Sequence, residues 1–127
     1  MKNLFSILFL TLIFSCLDTS NENKLIYQDE SNFSSIRQVT FGGDNAEAYW
    51  SFDDKKLVFQ SNYNKWGLEC DQIFLMGSDD AFESQAPDMI STGYGRTTCA
   101  YFMPDNKHIL YGSTHLQDNK CPEVPLR

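Results

Sequence analysis

Chemistry in this 127-residue chain has few side chains to draw on. Cys16, Cys70, Cys99, Cys121, His108 and His115 are all of its thiols and imidazoles. Beyond the first apolar stretch, Cys70, Cys99 and Cys121 follow one another at separations of 29 and 22 residues, and no two make a C-x-x-C pair. A tetrahedral zinc site would have to recruit His108 or His115 with no ligand spacing behind it, so no metal is expected. One disulfide among Cys70, Cys99 and Cys121, with the third thiol unpaired or bonded to a cysteine elsewhere, is the simpler expectation. The pairing is not decided by spacing. The chain holds no G-x-S-x-G, Walker loop or H-E-x-x-H, so no catalytic residue and no cofactor is assigned, and an enzymatic role stays uncertain, leaning to none.

Tyr49, Trp50, Trp66 and Tyr101 raise the prospect of a carbohydrate platform. Trp50 and Tyr101 fall in strand-like runs where core packing is the ordinary fate. Trp66 sits in a Gly- and Asn-bearing loop and is the one candidate for an exposed ring.

The net charge is −7, from 10 basic and 17 acidic residues scattered along the chain. Such a surface repels a phosphate backbone, and nucleic acid is excluded as a partner. A composition of 42% apolar and 14% aromatic residues is that of a folding chain.

Lys2 precedes an apolar run from Leu4 to Phe14, too short to span a bilayer, where about 20 residues are needed. It reads as the hydrophobic region of a signal peptide, residues 1–15. The run ends in Ile13-Phe14-Ser15-Cys16, which resembles the lipobox of bacterial lipoproteins. That resemblance implies cleavage before Cys16, lipidation of its thiol, and a mature charge of −7 − 1 = −8 once Lys2 is removed. Anchoring through N-terminal lipid follows. Leu17 at the second mature position is not the Asp that signals inner-membrane retention in enteric bacteria, which favours the outer membrane, facing the periplasm.

From residue 16 to 35 the chain is polar and reads as a tether, with one short strand at Leu25-Ile26-Tyr27. From Ile36 on, short apolar runs are divided by Gly, Asp, Asn and Pro, with no helical periodicity, so the chain is expected to be all-β. Strands are predicted at Ile36–Phe41, Glu47–Phe52, Lys56–Ser61, Gln72–Met76 and Asp88–Ser91. Leu57-Val58-Phe59 and Ile73-Phe74-Leu75-Met76 are unbroken apolar runs, which demands cover on both faces of the sheet they form.

Ala48 to Asn62 (AYWSFDDKKLVFQSN) then recurs as Ala100 to Thr114 (AYFMPDNKHILYGST), 52 residues on. The recurrence predicts two more strands, Thr98–Met103 and His108–Ser113, around a turn with Pro104 at its second position. Upstream, Ile90 to Gly93 matches Val39 to Gly42 one residue out of step. A period of about 50 residues suits a four-stranded blade.

These segments resemble the repeat of TolB-like β-propellers, of the form A-x-[WF]-S-P-D-G-K-x-[IL]-[AVL]-[FY]-x-S. The first copy keeps Ala48, Trp50, Ser51, Asp53, Lys55, Leu57, Val58, Phe59 and Ser61, and departs at Phe52 and Asp54. The second restores Pro104 but has Met103 and Asn106. The resemblance implies a ring-closing strand over residues 36–43, a first blade over about 44–92 and a partial second over about 93–127. With about 4 to 8 blades in a propeller, it also implies the front end of a longer protein.

The resemblance places Cys70, Cys99 and Cys121 on or near one rim, together with Glu47, Trp66, Arg96, Thr97 and His115 as candidate rim or channel residues, Glu47 and Arg96 facing as a charged pair. It implies a lipid-anchored, non-catalytic scaffold that binds protein partners in the cell envelope. The alternative is the N-terminal propeller of an exported prolyl-oligopeptidase-like hydrolase with its catalytic domain further along.

Overall fold

Apolar runs of five or six residues closed by turn formers fold here as antiparallel β-structure, with almost no helix among the described residues. The computed structural model describes residues 25–82 and 85–123. The expected signal peptide, 1–15, and Cys16 lie outside the described residues. Strands β1 (Asn45–Trp50), β2 (Lys56–Ser61), β3 (Gln72–Gly77) and β4 (Asp88–Met89) form one sheet in the order β1-β2-β3-β4. Strands β5 (Thr97–Phe102) and β6 (Ile109–Ser113) form a second.

The chain divides after Arg37 into two compact units. In the first, Leu25-Ile26-Tyr27 is not the short strand expected. The Glu30 amide donates to the Tyr27 carbonyl (3.0 Å), and the Tyr27 amide to the Glu30 carboxylate (2.9 Å), closing a turn.

In the second unit, the predicted strand at 36–41 is reduced to a single parallel bridge between Thr40 and Phe82, with the Phe82 amide donating to the Val39 carbonyl at 3.0 Å. β4 is shorter than predicted because Ser91 substitutes a side chain for the ladder. Its hydroxyl accepts from the Ile73 amide (2.9 Å) and donates to Gln72 Oε1 (2.7 Å). β1 and β5 end before Ser51 and Met103, whose amides donate to the Lys56 and His108 carbonyls at 2.8 Å and close the two hairpins.

The apolar runs of β2 and β3 are buried on both faces. On one, Val58 and Ile73 pack against Ala100 and Phe102 of the second sheet. On the other, Phe59, Phe74 and Met76 are covered by Val39, Trp66, Leu68, Phe82 and Ala86. Side chains alternate along a strand, so neighbours such as Val58 and Phe59 serve opposite faces.

The repeat is written into the backbone as well as the sequence. Left-handed φ values occur at Glu47 (52°) and Cys99 (54°), and at Asp54 (57°) and Asn106 (55°), each pair 52 residues apart. The first pair lies in bulges that interrupt β1/β2 and β5/β6 at equivalent places. Gly43 (71°) and Gly95 (63°) make a third pair, where a Cβ would be strained and would also strike Tyr63 or His115. The copies therefore keep one register from Gly43 and Gly95 on, which places the extra residue of the second copy before Gly95. Hydrogen bonds repeat too. The Asp44 amide donates to Asn62 Oδ1 and the Arg96 amide to Thr114 Oγ1, both at 2.9 Å.

Candidate binding site

Equivalent tyrosines meet where β1 and β5 lie beside each other. The rings of Tyr49 and Tyr101 are 5.4 Å apart and edge-on at 68°, and Phe52 meets Tyr101 at 6.2 Å and 88°. All three are exposed. The bulge at Glu47 turns its carboxylate to the same spot, where Oε2 accepts from the Tyr49 hydroxyl at 2.8 Å. That bond, and then the carboxylate's negative charge, raise the Tyr49 pKa. The joint beneath is tied by Gln60, whose Oε1 accepts from the Thr98 hydroxyl (2.8 Å) and the Cys99 amide (3.1 Å). Two exposed tyrosines and a phenylalanine beside an anionic carboxylate suit a cationic group, which aromatic faces and negative charge both attract.

Of the candidate rim and channel residues, Glu47 alone enters this cluster, where it joins Tyr49 and Tyr101 from the aromatic residues considered for a carbohydrate platform. Glu47 and Arg96 take separate partners. Arg96 Nη1 is 3.6 Å from Asp71 Oδ2, and its Nη2 lies 3.7 Å from Cys121 Sγ. Thr97 is buried, its amide and hydroxyl both donating to the Asp71 carbonyl (3.0 and 3.1 Å). His115 Nδ1 is 2.7 Å from the Ser113 hydroxyl in a local loop contact.

Trp66 is not the exposed platform expected. It is half-buried, 5.2 Å from Phe74 and 5.3 Å from Tyr63, because the 3₁₀ turn Asn64–Trp66 folds it onto the sheet. Trp50 and Tyr101 reverse the opposite expectation. Both strand residues are exposed, because Trp50 lies on the face of β1 away from the second sheet, and Tyr101, between the inward Ala100 and Phe102 and paired with exposed Leu110, lies on the face of β5 away from the first.

The open disulfide pairing is settled in the structure. Cys70 bonds Cys121 across a Cα–Cα distance of 5.8 Å, leaving Cys99 free and exposed. The bridge sits beside a cleft of about 290 Å³ lined by Trp66, Glu69, Gln72, Met89, Gly93 and Asn119, among others. Among the described residues no group of three or more His, Cys, Asp or Glu could hold a metal ion. No helix among them is long and apolar enough to cross a membrane.

The sequence reading named Tyr49 and Tyr101 among possible platform aromatics, assigned Tyr101 to core packing, and missed Phe52 and the grouping with Glu47. The signal for the two tyrosines was available: Tyr49 and Tyr101 hold the same position in the two copies, and neighbouring copies bring equivalent positions together. No protein-family model, curated protein or solved structure matches the chain.

Proposed function

We propose that this chain is a β-propeller-type repeat scaffold of a lipid-anchored envelope protein, and that it binds a protein partner without doing chemistry of its own. The four-stranded meander β1-β2-β3-β4, followed by a hairpin in the same register, supports the blade reading. The apolar leader and Cys16 support export and anchoring at the outer membrane. The observation that carries the binding role is the exposed cluster of Tyr49, Phe52 and Tyr101 with the Glu47 carboxylate. Its partner is a basic segment of a protein, since the rings and the carboxylate favour cations and the chain as a whole is acidic.

Calorimetric titration with a Lys- and Arg-rich peptide of about ten residues tests this. Saturable binding is expected, weakened at least tenfold by Tyr101→Ala and by Glu47→Gln, and absent for a Glu-rich peptide of equal length. Equal response to both peptides, or none, overturns the reading.

A further inference from the structure

Of the asparagines in the sequence, Asn32 alone begins an N-x-[ST] triplet, Asn32-Phe33-Ser34. In an exported chain that triplet is the acceptor pattern for N-linked glycan, in which the asparagine amide takes the sugar and the hydroxyl two places on is recognised. Bacterial transferases of this kind also read an acidic residue two places ahead of the asparagine, and Glu30 stands there. A triplet alone is not a site; the amide must also be within reach of an enzyme.

The local structure meets that condition. Asn32 belongs to the first unit, which ends at Arg37, and lies ahead of every strand. The Phe33 amide donates to the Glu30 carbonyl at 3.4 Å, which closes a turn with Asn32 at its third position. Asn32 and Ser34 are exposed, and so is Phe33 between them, at 53%. Other asparagines are engaged: Asn45 Nδ2 donates to the Gly42 carbonyl (3.0 Å), Asn62 Nδ2 to Asp44 Oδ2 (3.1 Å), and Asn106 Oδ1 accepts from the Phe52 amide. Among the described residues no hydrogen bond ties the Asn32 amide group or the Ser34 hydroxyl. The Glu30 carboxylate is held on the same turn by one exposed bond, from the Tyr27 amide.

We propose that Asn32 is an N-glycosylation site whose donor is a polyprenyl-pyrophosphate-linked oligosaccharide. Asn32 Nδ2 bonds to C1 of the sugar at the reducing end as the bond from C1 to the pyrophosphate oxygen breaks. The polyprenyl pyrophosphate leaves with the electron pair, and Nδ2 gives up one proton to a base of the transferase. Nothing is oxidised or reduced. Ser34 and the Glu30 carboxylate are recognised and stay unmodified. Asn32 is 32 − 16 = 16 positions after Cys16, at most about 53–58 Å of extended chain, so the glycan coats the tether between the lipid and the sheets. The inference rests on the export reading, since the acceptor meets the transferase beyond the membrane.

Intact-mass measurement tests this on the full chain, made with its own leader in a bacterium supplied with a single-subunit bacterial N-oligosaccharyltransferase and its lipid-linked glycan. One glycan increment is expected, located on the tryptic peptide 25–37 that lies between Lys24 and the bond after Arg37. Asn32→Gln and Ser34→Ala are each expected to abolish it, and Ser34→Thr and Glu30→Asp to keep it. Glu30→Gln should lower occupancy about tenfold, the loss of one charge-assisted bond to the transferase. A leader-processed wild type with no increment, or an increment that survives Asn32→Gln, overturns the proposal and leaves export and partner binding standing. A chain that keeps its leader overturns export instead; the purified full chain is then given the transferase and the lipid-linked glycan in solution, where transfer to Asn32 supports the acceptor site and no transfer overturns it.

Discussion

Asp54 and Asn106 hold the same left-handed position in the two turns, yet only one of them has work beyond its own turn. Each donates its amide to a carbonyl three residues back, of Ser51 or of Met103, at 3.0 Å. Glycine would suit both backbones. Asn106, however, also accepts from Phe52 across the two sheets. Asp54→Gly is therefore expected to match or exceed wild-type stability, and Asn106→Gly to fall about 1 kcal/mol below Asp54→Gly in urea unfolding. The turns were legible in the sequence because Asp, Asn and Pro act locally. The bond from Asn106 was not, since its partner is 54 residues away.

Asp105 closes the second turn with its carboxylate. His108 is its strongest partner, with Nδ1 2.5 Å from Oδ2, and the amides of Lys107 and His108 donate to Oδ1. These bonds hold its pKa well below the ordinary carboxylate range. A depressed folded pKa means a contribution that is complete above the unfolded value, about 3.9, and is lost as the pH falls through the folded one. Asp105→Asn should melt below wild type at pH 7, with the gap closing in melts taken at successively lower pH under about 4.

At the level of elements, the unbroken apolar runs of β2 and β3 announced strands covered on both sides, and Phe74 and Ile73 are buried on opposite faces. Strand ends were less legible, because they were decided by single polar atoms such as the Ser91 hydroxyl that takes the Ile73 amide. The strand predicted at 36–41 failed for a different reason: an apolar segment before a turn marks what can pair, and among the described residues only Phe82 pairs with it, at Thr40. The disulfide joins the loop before β3 to the corresponding loop after β6, at a sequence separation of 51. Removing it as Cys70→Ser with Cys121→Ser is expected to cost about 2–4 kcal/mol, chiefly by freeing the unfolded chain. Urea unfolding should show that loss, and adding reductant to wild type should reproduce it while leaving the double variant unchanged.

For the molecule as a whole, the two sheets share one core, so they are expected to unfold together. Both tryptophans belong to the first repeat and Phe102 to the second. Phe102→Ala should cost about 3–5 kcal/mol and shift the tryptophan-fluorescence transition as much as the circular-dichroism one. A fluorescence midpoint that stays put would mean that the first sheet stands alone. All-β architecture and the repeat could be read from residues alone. The aromatic site was legible only in part: the repeat puts Tyr49 and Tyr101 at equivalent positions, but nothing in either copy's pattern shows that Phe52 and the Glu47 carboxylate join them.

The bridge from Cys70 to Cys121 also determines how the molecule carries mechanical load. Tension applied between the two ends of the chain passes through the sulfur atoms and bypasses everything between them. Of the described strands, β1 and β2 lie in the loaded path, while β3 to β6 are slack. About 170–180 Å of contour length, 51 residues at about 3.3–3.6 Å each, stays out of reach of any pull until the bridge is reduced.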